Sequence, residues 1–234
     1  MRQRSRSRAA VILLLSTLGL VCGCGEQSGP STPFGEASVH FEQNATDGDI
    51  EVVFEVDGGD EGLAKLTVVS PDGHTVVNFT APDASTLGIR QFHFESPEPA
   101  DVASLKSAYP QGVYTFAGET VGGDKLHGES KLNHKLPATT EFVQPAADAL
   151  GVGVEDLEIT WTYVKDLAAY VIEIEQDELH ISLTAKLPGS EARFSMPDGF
   201  LLPGTEYNLN IGTVNEDGNI SFVETTFTTA AQEE

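Results

Sequence analysis

Carboxylates, histidines and two thiols are the side chains of this 234-residue chain whose types and spacing could do chemistry. Asp47 and Asp49 form one acidic turn, and Asp57, Asp60 and Glu61 form another around Gly58-Gly59. Hard oxygen ligands on loops suit calcium, so these five are the metal candidates. Neither segment has the D-x-[DN]-x-[DN]-G-x5-E spacing of a helix-loop-helix calcium loop, and Asp and Gly are also ordinary turn residues. His93 and Glu95, two apart on one strand face, could hold zinc together with His127 or His134, but no close His or Cys pair reinforces them. They read better as solvent-facing strand residues. Ser130 and Lys131 lie between those last two histidines, yet in an alternating strand they point to opposite faces. The sequence contains no G-x-S-x-G, H-E-x-x-H, P-loop or G-x-G-x-x-G motif. The chain therefore reads as a non-enzyme without a cofactor, calcium excepted.

The thiols carry a different chemistry. Cys22 and Cys24 end a segment in which Arg2, Arg4, Arg6 and Arg8 precede an apolar run from Ala9 to Val21. That order of charge, apolar core and small residues is a secretory signal peptide, expected over residues 1–23. The run is too short to cross a bilayer, which needs roughly 20 residues. Val21-Cys22-Gly23-Cys24 resembles the lipobox of bacterial lipoproteins. The resemblance implies that Cys24 becomes the acylated first residue and anchors the protein to the cell envelope. With two membranes, Gly25 in place of an aspartate retention signal implies the outer one. Residues 25–234 contain no cysteine, so the exported domains fold without disulfides and rely on packed cores.

Removal of the signal arginines leaves nine Lys+Arg against 36 Asp+Glu, a net charge of −27 spread over both halves. Such a field repels nucleic acid and anionic headgroups, so nucleic acid is excluded as a partner and membrane contact is assigned to the lipid. A soluble, highly charged surface is the simplest meaning of the acidity. Cation or basic-partner binding is the sharper one.

The elements that must position these groups are strands. Residues 24–35 are rich in Gly, Ser and Pro and read as a flexible tether. Ile50, Val52, Phe54 and Val56 then alternate with Glu51, Val53 and Glu55. Ser70-Pro71-Asp72-Gly73 predicts a hairpin turn, Arg90, Phe92 and Phe94 share a face, and Pro99–Leu105 predicts one short helix with Val102, Leu105 and Tyr109 on its inner side. Strands recurring with turn clusters between them predict an all-β chain of two tandem immunoglobulin-like β-sandwiches. Their boundary falls at Lys135–Thr140, giving one over 36–136 and another over 137–230.

The second carries residues that resemble a fibronectin type III domain. Leu157, Ile159, Trp161 and Tyr163 alternate, Tyr170, Ile172 and Ile174 follow, and Leu201, Pro203, Thr205 and Tyr207 match the L-x-P-x-T-x-Y corner. Gly218-Asn219 supplies a turn before the closing strand. The resemblance implies that Trp161, Tyr170, Leu201, Pro203, Thr205 and Tyr207 are structural, and the apolar placement of all five tyrosines (109, 114, 163, 170, 207) assigns them to cores. Tyr109–Phe116 echoes the same corner in the first half. The whole chain resembles exported bacterial proteins that pair such a domain with a type III module. Together these features predict a lipid-anchored interaction or adhesion module whose partner is an envelope protein or polysaccharide. An accessory polysaccharide-binding component is the alternative, and an exported hydrolase the remote one.

Overall fold

The computed structural model describes residues 31–81, 88–99 and 101–232. The expected signal peptide, Cys24, most of the tether and Ala100 lie outside the described residues. The chain is all-β. Its first half builds β1 (Thr32–Pro33), β2 (Glu36–Asn44), β3 (Asp49–Asp57), β4 (Leu63–Val69), β5 (Thr75–Thr80), β6 (Gln91–Glu95), β7 (Gly112–Thr120) and β8 (Lys125–Leu132), with the helix α1 (Val102–Ala108) between β6 and β7. One sheet runs β1-β8-β7-β4-β5, and β2, β3 and β6 stand side by side in the other. Between them lies a core that includes Phe41, Val52, Phe54, Leu66, Val68, Tyr114 and Phe116. Period-2 alternation produces it: Ile50, Val52, Phe54 and Val56 turn inward from β3 while Glu51 and Glu55 face out. Each large side chain so buried contributes about 1.5–3 kcal/mol. Phe34 closes one end of the core, and Gly118 faces its ring. A Cβ at Gly118 would stand 2.7 Å from Phe34 Cζ, so any side chain here requires the Phe34 ring to shift.

The helix is capped by Asp101, whose carboxylate accepts the Ser104 N–H at 2.8 Å. Leu105 is buried and Tyr109 packs against the core, but Val102, expected on the same inner side, is 41% exposed. A seven-residue helix reaches the core with its second turn only, which leaves Val102 in the first turn at the surface.

The second half builds β9 (Phe142–Gln144), β10 (Ala149–Val152), β11 (Glu158–Trp161), β12 (Ala169–Gln176), β13 (Ile181–Pro188), β14 (Arg193–Ser195), β15 (Glu206–Val214) and β16 (Ile220–Thr229). A three-stranded sheet, β14-β11-β9, faces β13-β12-β15-β16, with β10 parallel to β16 at its far end. Ile159, Trp161, Tyr170, Ile172, Leu209, Ile211 and Phe227 fill the space between. Trp161 is 3% exposed and tilts against Tyr170, ring centroids 5.2 Å apart. Its indole N–H meets no acceptor among the described residues. Tyr163 is not a core residue: β11 ends at Trp161, the alternation stops there, and Tyr163 is 54% exposed.

The two sandwiches are not merely in tandem. β2 pairs in parallel with β16, Glu42 opposite Ile220, Gln43 opposite Ser221 and Asn44 opposite Phe222. The result is one continuous sheet, β13-β12-β15-β16-β2-β3-β6, shared by both halves.

Candidate functional site

The corner residues of the second sandwich pin its loops to the core through hydrogen bonds. Leu202 donates its N–H to the Tyr207 hydroxyl at 2.8 Å, and Leu201 is buried beside it. Thr205 donates its N–H to Thr229 Oγ1 at 2.9 Å, while its own hydroxyl reaches back to Pro203 O at 3.2 Å. The Tyr170 hydroxyl takes the Val164 N–H at 2.7 Å. A buried ring with its hydroxyl satisfied by backbone pins a loop to a core without an orphaned polar atom. In the first sandwich Tyr114 does the same, donating to Pro110 O at 3.1 Å.

The calcium candidates are placed at opposite ends of β3, roughly 26 Å apart at about 3.3 Å per residue. Asp47 accepts the Asp49 N–H at 2.9 Å, and Asp49 accepts the Ile50 N–H at 2.8 Å. Both line an open cavity of about 380 Å³ with Glu98 and Asp101. At the other end Asp57 accepts the Gly59 N–H at 2.7 Å, Asp60 pairs with Arg90 at 3.0 Å, and Glu61 accepts from the Thr120 hydroxyl at 3.0 Å. These are turn and ion-pair duties. Among the described residues no three His, Cys, Asp or Glu side chains stand where they could share a metal ion. Ser130 accepts the Val39 N–H at 3.1 Å, and His134 Nε2 faces Tyr109 O at 2.8 Å, with its ring 4.9 Å from that of Phe41. Both are joinery between strands.

The shared sheet brings together residues that the sequence keeps far apart. Its outer face carries Glu42 on β2, Glu51 and Glu55 on β3, Glu95 on β6, Glu173 and Glu175 on β12 and Glu224 on β16, since cross-strand partners share a face. Glu42 stands directly opposite Glu51. Partial burial, with Glu95, Glu42 and Asp49 nearby, pushes the Glu51 carboxyl up to about 7. Glu173 is raised as well, by burial first, against a hydrogen bond from Asn210 and with the charge of Glu42 across the joint adding to it. His93 lies between two carboxylates, Nε2 2.7 Å from Glu95 and Nδ1 3.8 Å from Glu55. The Glu95 hydrogen bond holds the imidazole above its ordinary range despite partial burial. Acid crowded on one face raises the Glu51 and Glu173 carboxyls and repels anionic polymers.

Beneath the face runs the seam, and Asn219 secures its leading end. It is 0% exposed. Its Oδ1 accepts the Phe41 N–H at 2.8 Å, and its Nδ2 donates to Asn133 O, Asn133 Oδ1 and Lys135 O, each at 3.0 Å. Ser221 donates to Pro137 O at 2.9 Å and Thr213 to Ala138 O at 2.9 Å, so the connecting segment is stapled to β15 and β16. Sequence reasoning read Gly218-Asn219 as a turn. The turn exists, with Gly218 N–H on Asn215 O at 3.0 Å, but nothing local marks its Asn as the hub of a joint.

No family model and no curated protein matches the chain. Among solved structures it is similar to a two-domain fibronectin type III segment from chicken tenascin, 15% identical, covering 83% of this chain and 98% of that one with a TM-score of 0.32. It is similar also to the fibronectin(III)-like modules of Clostridium thermocellum CbhA (10% identity, 88% of this chain and 95% of that one, TM-score 0.33). A third is a tetra-tandem repeat in the extending region of a large adhesion protein (12% identity, 84% and 50%, TM-score 0.30). At such identities and scores these likenesses say nothing of a partner or an activity.

Proposed function

We propose that the protein is a lipid-anchored interaction module of the bacterial cell envelope, tethered through acyl chains on Cys24 and presenting two stiffly joined sandwiches to an envelope protein or polysaccharide. The joint supports this reading most strongly: a buried Asn219 and a strand pair spanning both halves set the orientation of one sandwich on the other. A display module gains from such stiffness, because loops held in register lose less freedom on binding. The order of parts agrees, with anchor residue, Gly/Ser/Pro-rich segment and folded units following one another along the chain. Ser130, His134 and the acidic turns all have structural partners, which favours a binding role over hydrolysis. We read the second sandwich as a fibronectin type III module on Trp161, Tyr170 and the Leu201–Tyr207 corner. The test has two arms. Mass spectrometry of the membrane fraction should find the Cys24 peptide acylated, and an unmodified Cys24 refutes the anchor. The protein immobilised through Cys24 should retain a specific component of envelope extract, and repeated failure to retain any refutes the interaction role.

A further inference from the structure

We propose that the β2–β16 seam is a mechanical clamp, the element through which tension passes between the anchored end of the chain and whatever grips the second sandwich. The source of the tension rests on the anchored-module reading; the clamp rests on the seam geometry alone. The two strands are parallel and overlap only at Glu42–Asn44 and Ile220–Phe222. From that overlap β2 runs back to Glu36 and β16 runs forward to Thr229. The upstream end of one strand and the downstream end of the other therefore leave the seam in opposite directions. Together they span roughly 50 Å at about 3.3 Å per residue. Both strands also sit in the middle of the shared sheet, each flanked by a fully paired antiparallel neighbour, β15 or β3.

Pulling along that span shears the seam. Its bonds lie side by side and take the strain together: Phe41 N–H to Asn219 Oδ1 (2.8 Å), Ala45 N–H to Phe222 O (2.8 Å), Gln43 Nε2 to Ser221 Oγ (2.9 Å), Asn44 Nδ2 to Glu224 Oε2 (2.8 Å) and Glu224 N–H to Thr46 Oγ1 (2.8 Å). Pulling across the sheet, from β13 to β6, opens the ladders one bond at a time. Forced rupture follows the unfolding rate, so bonds that must fail together resist far longer than bonds that fail in turn. The side-chain bonds extend the overlap beyond its three backbone pairs on both sides, Asn219 before it and Thr46 with Glu224 after it. An ordinary contact between neighbouring domains would not need its bonds aligned along one pulling axis.

Single-molecule force-clamp measurement on the full chain carrying Cys22→Ser and Cys24→Ser tests the proposal. Handles on Glu36→Cys and Gln232→Cys load the seam lengthwise, and handles on Glu95→Cys and Pro188→Cys, which the registers place within two residues of each other along the strand direction, load it crosswise; all four residues are exposed. The lengthwise lifetime at a given force should exceed the crosswise one. Thr46→Val removes the acceptor of the Glu224 N–H at an exposed site where folding is not at risk. It should shorten the lengthwise lifetime about tenfold, equivalent to about 1.4 kcal/mol, and leave the crosswise lifetime unchanged. Asn44→Ala should act the same way. Equal lifetimes in the two geometries, or a lengthwise lifetime indifferent to both variants, overturn the clamp. The measurement involves no membrane, so an unmodified Cys24 in cells would end the anchor reading without touching this result.

Discussion

Replacing Asn219 with alanine is the sharpest test of how the halves are joined. The substitution leaves the Phe41 N–H buried without an acceptor, which costs about 1–3 kcal/mol. It also removes an amide whose two protons serve three oxygens, Asn133 O, Asn133 Oδ1 and Lys135 O, at a net of about 0.5–1.5 kcal/mol per bond. The total is about 3 kcal/mol, a large share of the 5–15 kcal/mol typical of a folded domain. With a urea m-value of about 2 kcal/mol/M, the midpoint should fall by about 1.5 M. Trp161 is the only tryptophan and lies in the second core, so its fluorescence reports that sandwich while far-ultraviolet circular dichroism reports both. The wild-type transitions should coincide, because the seam couples the halves. In Asn219→Ala they should separate. Asn219→Asp keeps the size and the acceptor but turns an anionic oxygen toward three oxygens, and it should cost at least as much as alanine. An aspartate variant within about 0.5 kcal/mol of wild type would refute the hydrogen-bonded joint and leave only a space-filling role.

Partial burial and the neighbouring carboxylates push the Glu51 carboxyl up to about 7, well above the usual carboxylate range, so its ionisation penalises folding. That penalty is full above about pH 7 and is gone below about pH 4.5. His93 is also raised, and its contribution is present at low pH and lost as pH rises through its folded pKa, in the same direction. Stability should therefore fall from pH 5.5 to pH 8, and Glu51→Gln should raise the melting temperature more at pH 8 than at pH 5.5; an equal gain at both would show that the charge crowding is absent. Tyr207→Phe strips the acceptor from the Leu202 N–H and should cost about 1–2 kcal/mol by urea titration of Trp161 fluorescence, a neutral result removing the corner bond from the account. Gly118→Ala drives a methyl into Phe34 and should cost about 1–3 kcal/mol in circular-dichroism melts, whereas a stabilised variant would mean that the Phe34 ring moves aside freely.

The two cores were legible because each residue in them declares its face by parity. Ile50 to Val56 on β3 and Tyr170 to Ile174 on β12 alternate cleanly, and burial of one face is a local consequence of that pattern. The Leu201–Tyr207 corner was legible too, since Pro, Thr and Tyr at fixed offsets constrain a single turn. Tyr163 and Val102 misled because parity carries no information on where a strand or helix stops, and each lies just outside the stretch that faces a core. The seam left no local trace. Glu42, Gln43 and Asn44 look like the polar end of a strand facing water, and Asp217-Gly218-Asn219 looks like a turn; only the meeting of positions 178 residues apart makes Asn219 and Phe41 partners.

The outer face was illegible for a related reason, and it sets the seam a physical problem. Its carboxylates occupy the outward parity of five strands, where acid is the expected surface residue and no one strand looks unusual. Assembly of the shared sheet lines them up, Glu42 within reach of both Glu51 and Glu173. Like charges on neighbouring strands push the sandwiches apart at the very place where they are joined. A seam of three backbone pairs alone would be poorly matched against that repulsion. The Asn219 hub and the Asn44–Glu224–Thr46 bonds hold the joint closed, and Asn44 does so by donating directly to one of the crowding carboxylates. The polar residues at the seam are thus the structural counterpart of the acidity above them. A weaker joint would require a less acidic face, and a face this acidic requires bonds that extend past the paired strands on both sides.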